Sequence, residues 1–194
     1  MQRNQGRAAT AGLVSADLAA TGFRGADDIL AAGDGGLLGT YSDGGDPDLL
    51  TEHLGEQWHL AEISTRLWPA AAALQSLIAA ILDADIDAND VASMRVGLPP
   101  DSYEMNASMG WDTPFTAALS TRWVAAVVLK DRACWLEQFT TSRLGDAGTA
   151  TLADRVAVTE DPTLEEGGVD LTITLQDGSQ HRDRRDSNDT SPID

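Results

Sequence analysis

Strict alternation of apolar and polar side chains near the carboxyl end constrains this fold more than any other feature. Residues 169–175 read VDLTITL, with an apolar side chain at every odd position. Successive side chains of a β-strand point to opposite faces, so this pattern is typical of a strand with one buried face. Asp177-Gly178 follows, a dipeptide that favours tight hairpin turns. We therefore predict a hairpin in a sheet covered on one face.

The rest of the chain mixes helical patterns with one further strand. Apolar or small residues at helical spacing predict helices over 6–22, 26–32, 46–54, 69–82 and 114–130, and short helical pieces over 134–139 and 152–155. A strand is expected over 91–98, where Pro99-Pro100 stops it. Helices with a few non-consecutive strands predict an α+β fold, with several helices packed on a small, mainly antiparallel sheet. We expect a single domain over residues 1–182 and a frayed polar tail over 183–194.

Composition excludes several classes of partner. Among 194 residues, 31 Asp and Glu oppose 13 Lys and Arg, a net charge of -18 that repels phosphate backbones and anionic lipid headgroups. No nucleic acid and no membrane partner is therefore expected. The sequence has neither a run of about 18 apolar residues, as a membrane-spanning helix requires, nor the apolar segment of a signal peptide. We therefore expect a cytoplasmic protein. The single cysteine, Cys134, forms no internal disulfide.

The usual metal and cofactor patterns are incomplete, and we expect neither a metal nor a cofactor. Asp83, Asp85 and Asp87 match the start of a calcium loop, but Ala88 replaces the required glycine and Met94 the closing glutamate. The histidines, at 53, 59 and 181, lack the spacing that places two ligands on one helix face. The glycines of 33–36 do not form a phosphate-binding loop.

Five tryptophans are many for this length, and each is expected either in the core or in the wall of an apolar pocket. Core packing is the commoner outcome. Trp68 and Trp111 stand beside proline or glycine breaks, where a pocket wall is favoured.

Several short blocks, taken in their order and spacing, resemble the MmgE/PrpD family, which includes 2-methylcitrate dehydratase, cis-aconitate decarboxylase and iminodisuccinate epimerase. These blocks are 6–9 (GRAA), 22–30 (GFRGADDIL), 54–58 (LGEQW), 67–69 (LWP), 90–92 (DVA), 114–119 (PFTAAL) and 158–162 (VTEDP). Family members combine a large helical domain with a smaller α+β lid domain. The resemblance implies a stand-alone lid-like domain here.

The same resemblance locates the positions that would carry the family's proton transfer. The family's lysine and histidine precede the GRAA block, where this chain has about Met1 and Asn4. Polar residues that the family shows after the Trp-Pro pair correspond to 70–75, which here are alanines, a leucine and Gln75. Neither an amide nor a thioether moves protons at neutral pH, so a lyase reaction on a tricarboxylate is not expected from this chain alone.

We therefore expect a small-molecule-binding enzyme that promotes cyclisation or isomerisation of a largely apolar substrate in specialised, polyketide-like metabolism, such as antibiotic biosynthesis. Such chemistry can rest on holding a flexible substrate in a reactive conformer. The candidate catalytic residues are Asn4, Gln75 and Tyr41, and the candidate substrate-binding residues are Arg3, Trp68 and Trp111.

Two alternatives remain open. The chain could be a non-catalytic lid subunit of a split 2-methylcitrate dehydratase-type lyase that caps a separate helical-domain chain, or a dimeric scaffold without a ligand. An apolar face that a lid normally presents to its partner needs a cover in water. The expected partners are therefore a small-molecule substrate and a second copy of the chain, with a separate helical-domain chain as the alternative.

Overall fold

A computed structural model of the protein describes residues 3–30, 36–42, 45–58 and 65–186, and these residues divide into two compact units, Met1–Glu62 and Ile63–Asp194. The first unit contains helix α1 (Arg3–Ala20) and the short helix α2 (Leu37–Tyr41). Gly22 follows α1 with a φ of 93°, a left-handed conformation that glycine adopts without strain and that ends the helix near the predicted boundary.

Two helices predicted in the first unit are shorter or absent. Residues 26–30 form turns and irregular backbone rather than a helix, because the Asp28 side chain accepts a hydrogen bond from the Leu30 amide at 3.0 Å and offers the backbone a local alternative. The segment after Asp46 is a single 3₁₀ turn, Pro47–Leu50, capped by the Asp46 carboxylate on the Asp48 amide at 2.9 Å. Residues 31 and 32 of the helix predicted over 26–32 lie outside the described residues, as do residues 33–35 and 59–64.

The second unit contains a four-stranded mixed sheet in the order β2-β1-β3-β4. Its strands are β1 (Val91–Leu98), β2 (Val156–Glu160), β3 (Val169–Leu175) and β4 (Gln180–Arg185). Strand β1 pairs in parallel with β2 and antiparallel with β3, and β3 pairs antiparallel with β4. Two of the three pairings are antiparallel, and the predicted strands over 91–98 and 169–175 are confirmed.

Six helices of the second unit accompany the sheet among the described residues: α3 (Gln75–Ala84), α4 (Pro100–Asn106), α5 (Pro114–Leu119), α6 (Thr121–Asp131), α7 (Thr141–Leu144) and α8 (Ala147–Ala153). The eight helices described in the whole chain, with the four strands, confirm the α+β class. No described helix is both long enough and apolar enough to cross a lipid bilayer.

A continuous core joins the sheet to α3 and α6. Leu77 and Ile81 of α3, Val124 and Val128 of α6, and Leu171 of β3 are among the residues with no measurable exposure. Burial of these side chains supplies most of the free energy that holds the unit together.

The predicted helix over 114–130 is two helices separated at Ser120. The Ser120 hydroxyl accepts a hydrogen bond from the Trp123 amide at 3.4 Å and donates one to the Met109 carbonyl at 2.7 Å. A serine in this role starts a new helix and redirects the chain. In the same way, the helix expected from Pro69 begins only at Gln75, after a 3₁₀ turn over Ala72–Leu74.

Strand β4 extends three residues into the stretch predicted as a frayed tail, which corrects that boundary. Asp183 pairs with Leu171 across the hairpin, and Arg185 pairs with Val169. The Arg185 guanidinium also lies 2.6 Å from the Asp83 carboxylate. Arg182 and Arg184 are exposed, whereas Asp183 and Arg185 are half-buried, and charged residues of this kind are common on edge strands. Residues 187–194 lie outside the described residues, and the single domain over 1–182 stays a prediction.

Candidate functional site

The second unit contains a largely apolar cleft of about 410 Å³, which we call the α4 cleft. Its walls come from the 3₁₀ turn before α3, from α4, from the end of α5 and from the turn before β3. The lining residues are Arg66, Ala71, Ala72, Ala73, Asp101, Ser102, Met105, Asn106, Met109, Leu119, Glu166 and Gly167. A cavity of this volume is in the range of small-molecule sites.

Gln75 fixes the first wall. Its side-chain oxygen accepts hydrogen bonds from the amides of Leu67 at 3.0 Å and Trp68 at 3.1 Å. Its side-chain nitrogen donates to the carbonyls of Trp68 and Ala71, both at 3.2 Å. The side chain is buried, so all four bonds replace water that these groups would otherwise contact. Gln75 thus holds residues 67–71 in one conformation and positions the alanine wall.

Backbone contacts join this wall to the end of α5 and to the turn before β3. The Ala71 amide donates to the Ala118 carbonyl at 2.9 Å. The Ser76 hydroxyl donates to the Gly167 carbonyl at 2.7 Å, which holds the turn against α3. Gly168 must lack a side chain, because a Cβ there would lie 2.7 Å from the Asp186 carbonyl oxygen. The walls of the cleft are therefore preformed by the fold.

The opposite wall ends in Asn106, the last residue of α4 and only 2% exposed. Its side-chain nitrogen donates to the Leu119 carbonyl at 2.8 Å, and its main-chain carbonyl accepts from the Thr121 hydroxyl at 3.2 Å. The side-chain oxygen, Oδ1, is buried and accepts no hydrogen bond from any residue that the structure describes. A buried polar atom without a partner is uncommon and calls for a physical explanation.

Charged groups lie at the mouth of the cleft rather than at its base. Arg66, Asp101 and Glu166 are exposed, whereas Ser102, at 4% exposure, and Asn106 are the buried polar residues. Neither a hydroxyl nor an amide exchanges protons readily at neutral pH. Among the lining residues that the structure describes, the buried ones include no acid or base, so this part of the cleft can hold a guest by shape and hydrogen bonding.

The structure brings only part of the predicted site together. Trp68 and Gln75 are in contact, but neither lines the α4 cleft. Trp111 stacks on the buried Trp123 with ring centroids 5.7 Å apart, and the Arg122 guanidinium lies 5.3 Å from its ring centre. Packing against the core explains its half-buried position.

The remaining predicted site residues belong to the first unit. Tyr41 is 83% exposed at the end of α2. Arg3 and Asn4 begin α1, and their side chains lie outside what the structure describes. The roles assigned to these residues stay predictions.

Sequence reasoning missed the residues that line the cleft. Met105, Met109 and Asn106 come from α4 and the segment after it, a helix that the sequence analysis did not predict. The available signal was Pro99-Pro100, because a proline at the first helical position starts helices as well as ending strands.

Of the five tryptophans, Trp123 lies in the core, and Trp58 and Trp135 are exposed at 70% and 56%. These three tryptophans thus differ in exposure, although the sequence analysis gave all of them the same two possible positions, the core or a pocket wall. Trp58 belongs to the first unit, whereas Trp135 precedes a 3₁₀ turn of the second.

Other reactive groups are structural. Burial raises the pKa of the Cys134 thiol to about 12, so it is protonated at neutral pH and a poor nucleophile. Within the described ranges, no three His, Cys, Asp or Glu side chains are grouped so that they could hold a metal ion. Asp85 instead lies 3.2 Å from Arg132.

A second, more polar cleft of about 640 Å³ lies beside α6 and α8 and includes Lys130, Arg132 and Arg155. All three cations have protein partners. Lys130 is 2.5 Å from the Asp146 carboxylate, Arg132 donates to the Ile81 carbonyl, and Arg155 donates to the Val91 carbonyl. These bonds join α6 to α8 and to α3, and the residue before β2 to β1, so the cations have structural roles and this cleft is the weaker candidate for a ligand.

Comparison with known proteins identifies one family. The family model described as the MmgE/PrpD C-terminal domain matches residues 68–190, more than half of the chain. The matched range includes every residue that lines the α4 cleft except Arg66. No curated protein matches the chain. The blocks at 6–9, 22–30 and 54–58 lie before the matched range, so their resemblance stays a prediction.

Proposed function

Since the chain belongs to the MmgE/PrpD family through its C-terminal domain, we propose that the α4 cleft binds a small, largely apolar molecule and promotes its cyclisation or isomerisation. The observation that carries the proposal is a preformed cleft of about 410 Å³ whose lining is mainly alanine, methionine and leucine side chains. Ligand sites are typically concave and mostly apolar, with a small number of placed polar groups.

The apolar lining sets the scale of the expected affinity. A guest that buries about 200 Å² of apolar surface gains roughly 5 kcal/mol from leaving water. Part of this gain offsets the loss of translational and rotational freedom on binding. A net gain of about 5 kcal/mol would correspond to a dissociation constant of about 0.2 mM, so for a guest the size of a two-ring aromatic molecule we expect a dissociation constant on the order of 1 mM.

Charge at the mouth disfavours an anionic substrate. Arg66 faces two carboxylates of the same cleft, Asp101 and Glu166, in a chain with a net charge of -18. A tricarboxylate entering the cleft would meet more negative than positive charge. A neutral guest avoids this repulsion, which favours an apolar substrate over the citrate-like acids that other family members use.

Rate acceleration in such a site would come from conformation. The buried polar residues, Ser102 and Asn106, can orient a guest but move no protons at neutral pH. Holding two reacting ends of a flexible molecule close together lowers the entropic part of the barrier. Ring closure or isomerisation of a polyketide-like chain in specialised metabolism fits this requirement.

The proposal is tested by isothermal titration of the full chain with 2-methoxynaphthalene, an apolar probe of suitable size. Ala72 is an exposed residue of the lining, so Ala72→Trp would fill part of the cleft without disturbing the core. Ala157→Trp, on the exposed side of β2, is the matched control. We expect binding to the wild type and to the control, with at least tenfold weaker binding to Ala72→Trp. Equal binding to all three, or no binding to the wild type, would refute the proposal.

A second candidate function rests on exposed apolar side chains of the first unit. Leu13 and Val14 of α1 are 72% and 52% exposed, and Leu18, one turn beyond Val14, is 44% exposed. Apolar surface of this kind marks protein interaction sites. Through this surface the chain would serve as the non-catalytic lid subunit of a split 2-methylcitrate dehydratase-type lyase, docked on a separate helical-domain chain, or would pair with a second copy.

Light scattering during size-exclusion chromatography separates these outcomes. A dimer that Leu13→Asp converts to a monomer would support pairing of two copies. A wild-type monomer that co-purifies with a helical-domain chain encoded beside it would support the lid-subunit role. A monomer that binds neither would exclude both uses of this surface.

A further inference from the structure

One face of the sheet points away from the core, and we call it the open face. Leu171 and Ile173 of β3 lie in the core with no measurable exposure, so Thr172, between them in the strand, belongs to the open face. Arg95 of β1 and Arg182 of β4 pair with Thr172 from its two sides, and both are exposed. The open face thus carries two guanidinium groups on the strands that flank β3. We call these two residues the arginine pair.

The neighbouring positions of the open face are uncharged on one side of the arginine pair. There Ser93, Thr174 and Gln180 are paired across the same three strands. On the other side lies Asp170, which is paired with a further cation, Arg184. Within these described rows, the arginine pair therefore has no acidic side chain directly beside it in the register.

Most cations of the second unit are used in ion pairs, whereas the arginine pair is not. Six of them lie 2.5 to 3.2 Å from a carboxylate: Arg122, Lys130, Arg132, Arg143, Arg184 and Arg185. Arg95 instead donates to the Thr172 hydroxyl at 3.3 Å, and Arg182 to the side-chain oxygen of Gln180 at 2.8 Å. Neither forms an ion pair with any residue that the structure describes. In a chain with 31 acidic and 13 basic residues, such cations are the ones available to an anion from outside.

We propose that the arginine pair binds the phosphate group of a small phosphate monoester. Neighbouring strands lie about 4.8 Å apart, so the backbones of Arg95 and Arg182 are about 10 Å apart across β3. An arginine side chain is longer than half of that span, so both guanidinium groups can reach one anion above Thr172. Each has five N–H donors in a planar fork that fits phosphate oxygens, and two positive charges match the dianion.

The surroundings favour a small ligand over a polyanion. At physiological ionic strength a charge acts over about 8 Å, so a single phosphate responds mainly to the arginine pair. A nucleic acid or an anionic lipid surface would place further phosphates against the rest of a chain with a net charge of -18. Neither arginine lines the α4 cleft, so this site is independent of the function proposed above.

Titration of the nitrogen-15-labelled full chain with inorganic phosphate at pH 7.5 tests the inference, with sodium chloride adjusted to hold the ionic strength constant. We expect saturable shifts of the backbone amide signals of Arg95, Thr172 and Arg182. The signal of Val127, buried in α6, should not move. Acetate has a carboxylate with one negative charge, so it should bind at least about threefold more weakly. Equal affinity for acetate would replace the phosphate ligand by a carboxylate and overturn the proposal.

Variants assign the binding to the two guanidinium groups. Arg95→Gln and Arg182→Gln should each weaken phosphate binding at least about threefold, the effect of losing one exposed ionic contact, and the double variant should show no saturable shift. The control is a double variant of two exposed arginines of the first unit, Arg7→Gln with Arg24→Gln, which makes the same change in net charge. Equal loss in the control, wild-type affinity in the double variant, or unsaturable shifts in the wild type would overturn the proposal.

Discussion

Replacing Gln75 by leucine tests whether this residue is a positioning element of the α4 cleft. Leucine has a similar volume but removes four hydrogen bonds, from the Leu67 and Trp68 amides and to the Trp68 and Ala71 carbonyls. Each bond contributes about 1 kcal/mol net, and unpaired buried groups cost more. Since three of the four bonds are only partly buried and leucine adds apolar surface, we expect a loss of about 2 to 4 kcal/mol in the free energy of unfolding.

Urea denaturation followed by tryptophan fluorescence measures this loss, with the denaturant slope showing whether unfolding stays two-state. Gln176→Leu, at an exposed glutamine, is the matched control and should change stability by less than about 0.5 kcal/mol. A loss at Gln75→Leu no greater than that of the control would refute the positioning role. Unchanged stability together with lost ligand turnover would restore the catalytic role predicted from the sequence.

Gln75→Glu adds a pH-dependent version of the same test. One carboxylate oxygen keeps both amide partners, but the other faces the carbonyl oxygens of Trp68 and Ala71, which repel it unless it is protonated. The folded state would therefore raise the pKa of this carboxyl above its unfolded value of about 4.3. Stability relative to the wild type is then retained below pH 4 and lost as the pH rises through the raised folded-state pKa. Equal loss at all pH values would contradict this geometry.

Three further predictions concern groups outside the cleft. Because burial raises the pKa of Cys134 to about 12, a thiol-specific disulfide reagent at pH 8 should react slowly with the native protein and promptly in urea; prompt native labelling would contradict the assignment. Hydrogen bonds from Lys130 and Thr149 hold the pKa of Asp146 well below its usual range, so its contribution to stability is present above about pH 4 and lost on acidification. Asp146→Ala removes the N-cap of α8 and should lower the free energy of unfolding by about 1 kcal/mol at pH 7. The variant should also lose less stability than the wild type when the pH is lowered below 4, and an equal loss in both proteins would exclude this role. Trp111→Leu should lower stability by about 1 kcal/mol but change the affinity for 2-methoxynaphthalene less than twofold, whereas a larger change would place Trp111 at the site.

The spacing of apolar residues along the sequence predicted those helices and strands that bury one face in the core. Strand β3 alternates in sequence because Val169, Leu171 and Ile173 pack in the core, although Thr172 on the other face is also buried, and the hairpin follows from Asp177-Gly178. Strand β1 was predicted with the same bounds as in the structure. Strand β2 was not predicted, because VAVTE at a sheet edge has five residues and little apolar contrast between its faces. Its parallel pairing with β1 depends on tertiary contacts that no local pattern encodes.

The ligand-lining residues were harder to predict than the fold. A cleft is a property of spacing between elements, and the α4 cleft is formed by four segments distant in sequence. Gln75 was singled out by family resemblance, yet its four backbone hydrogen bonds indicate a positioning role. Asn106 carries no sequence motif, and its significance depends on which amide atom is buried without a partner. Such an atom becomes recognisable only from three-dimensional contacts.

Methyl resonances of methionine provide the most direct test that the α4 cleft is a ligand site. Met105 and Met109 line the cleft, whereas Met94 lies in β1 with 2% exposure and does not. On titration of the carbon-13 methyl-labelled protein with 2-methoxynaphthalene, we predict saturable shifts of the Met105 and Met109 methyl signals and an unchanged Met94 signal. Saturable binding that shifts neither of the two cleft methionines would contradict the account.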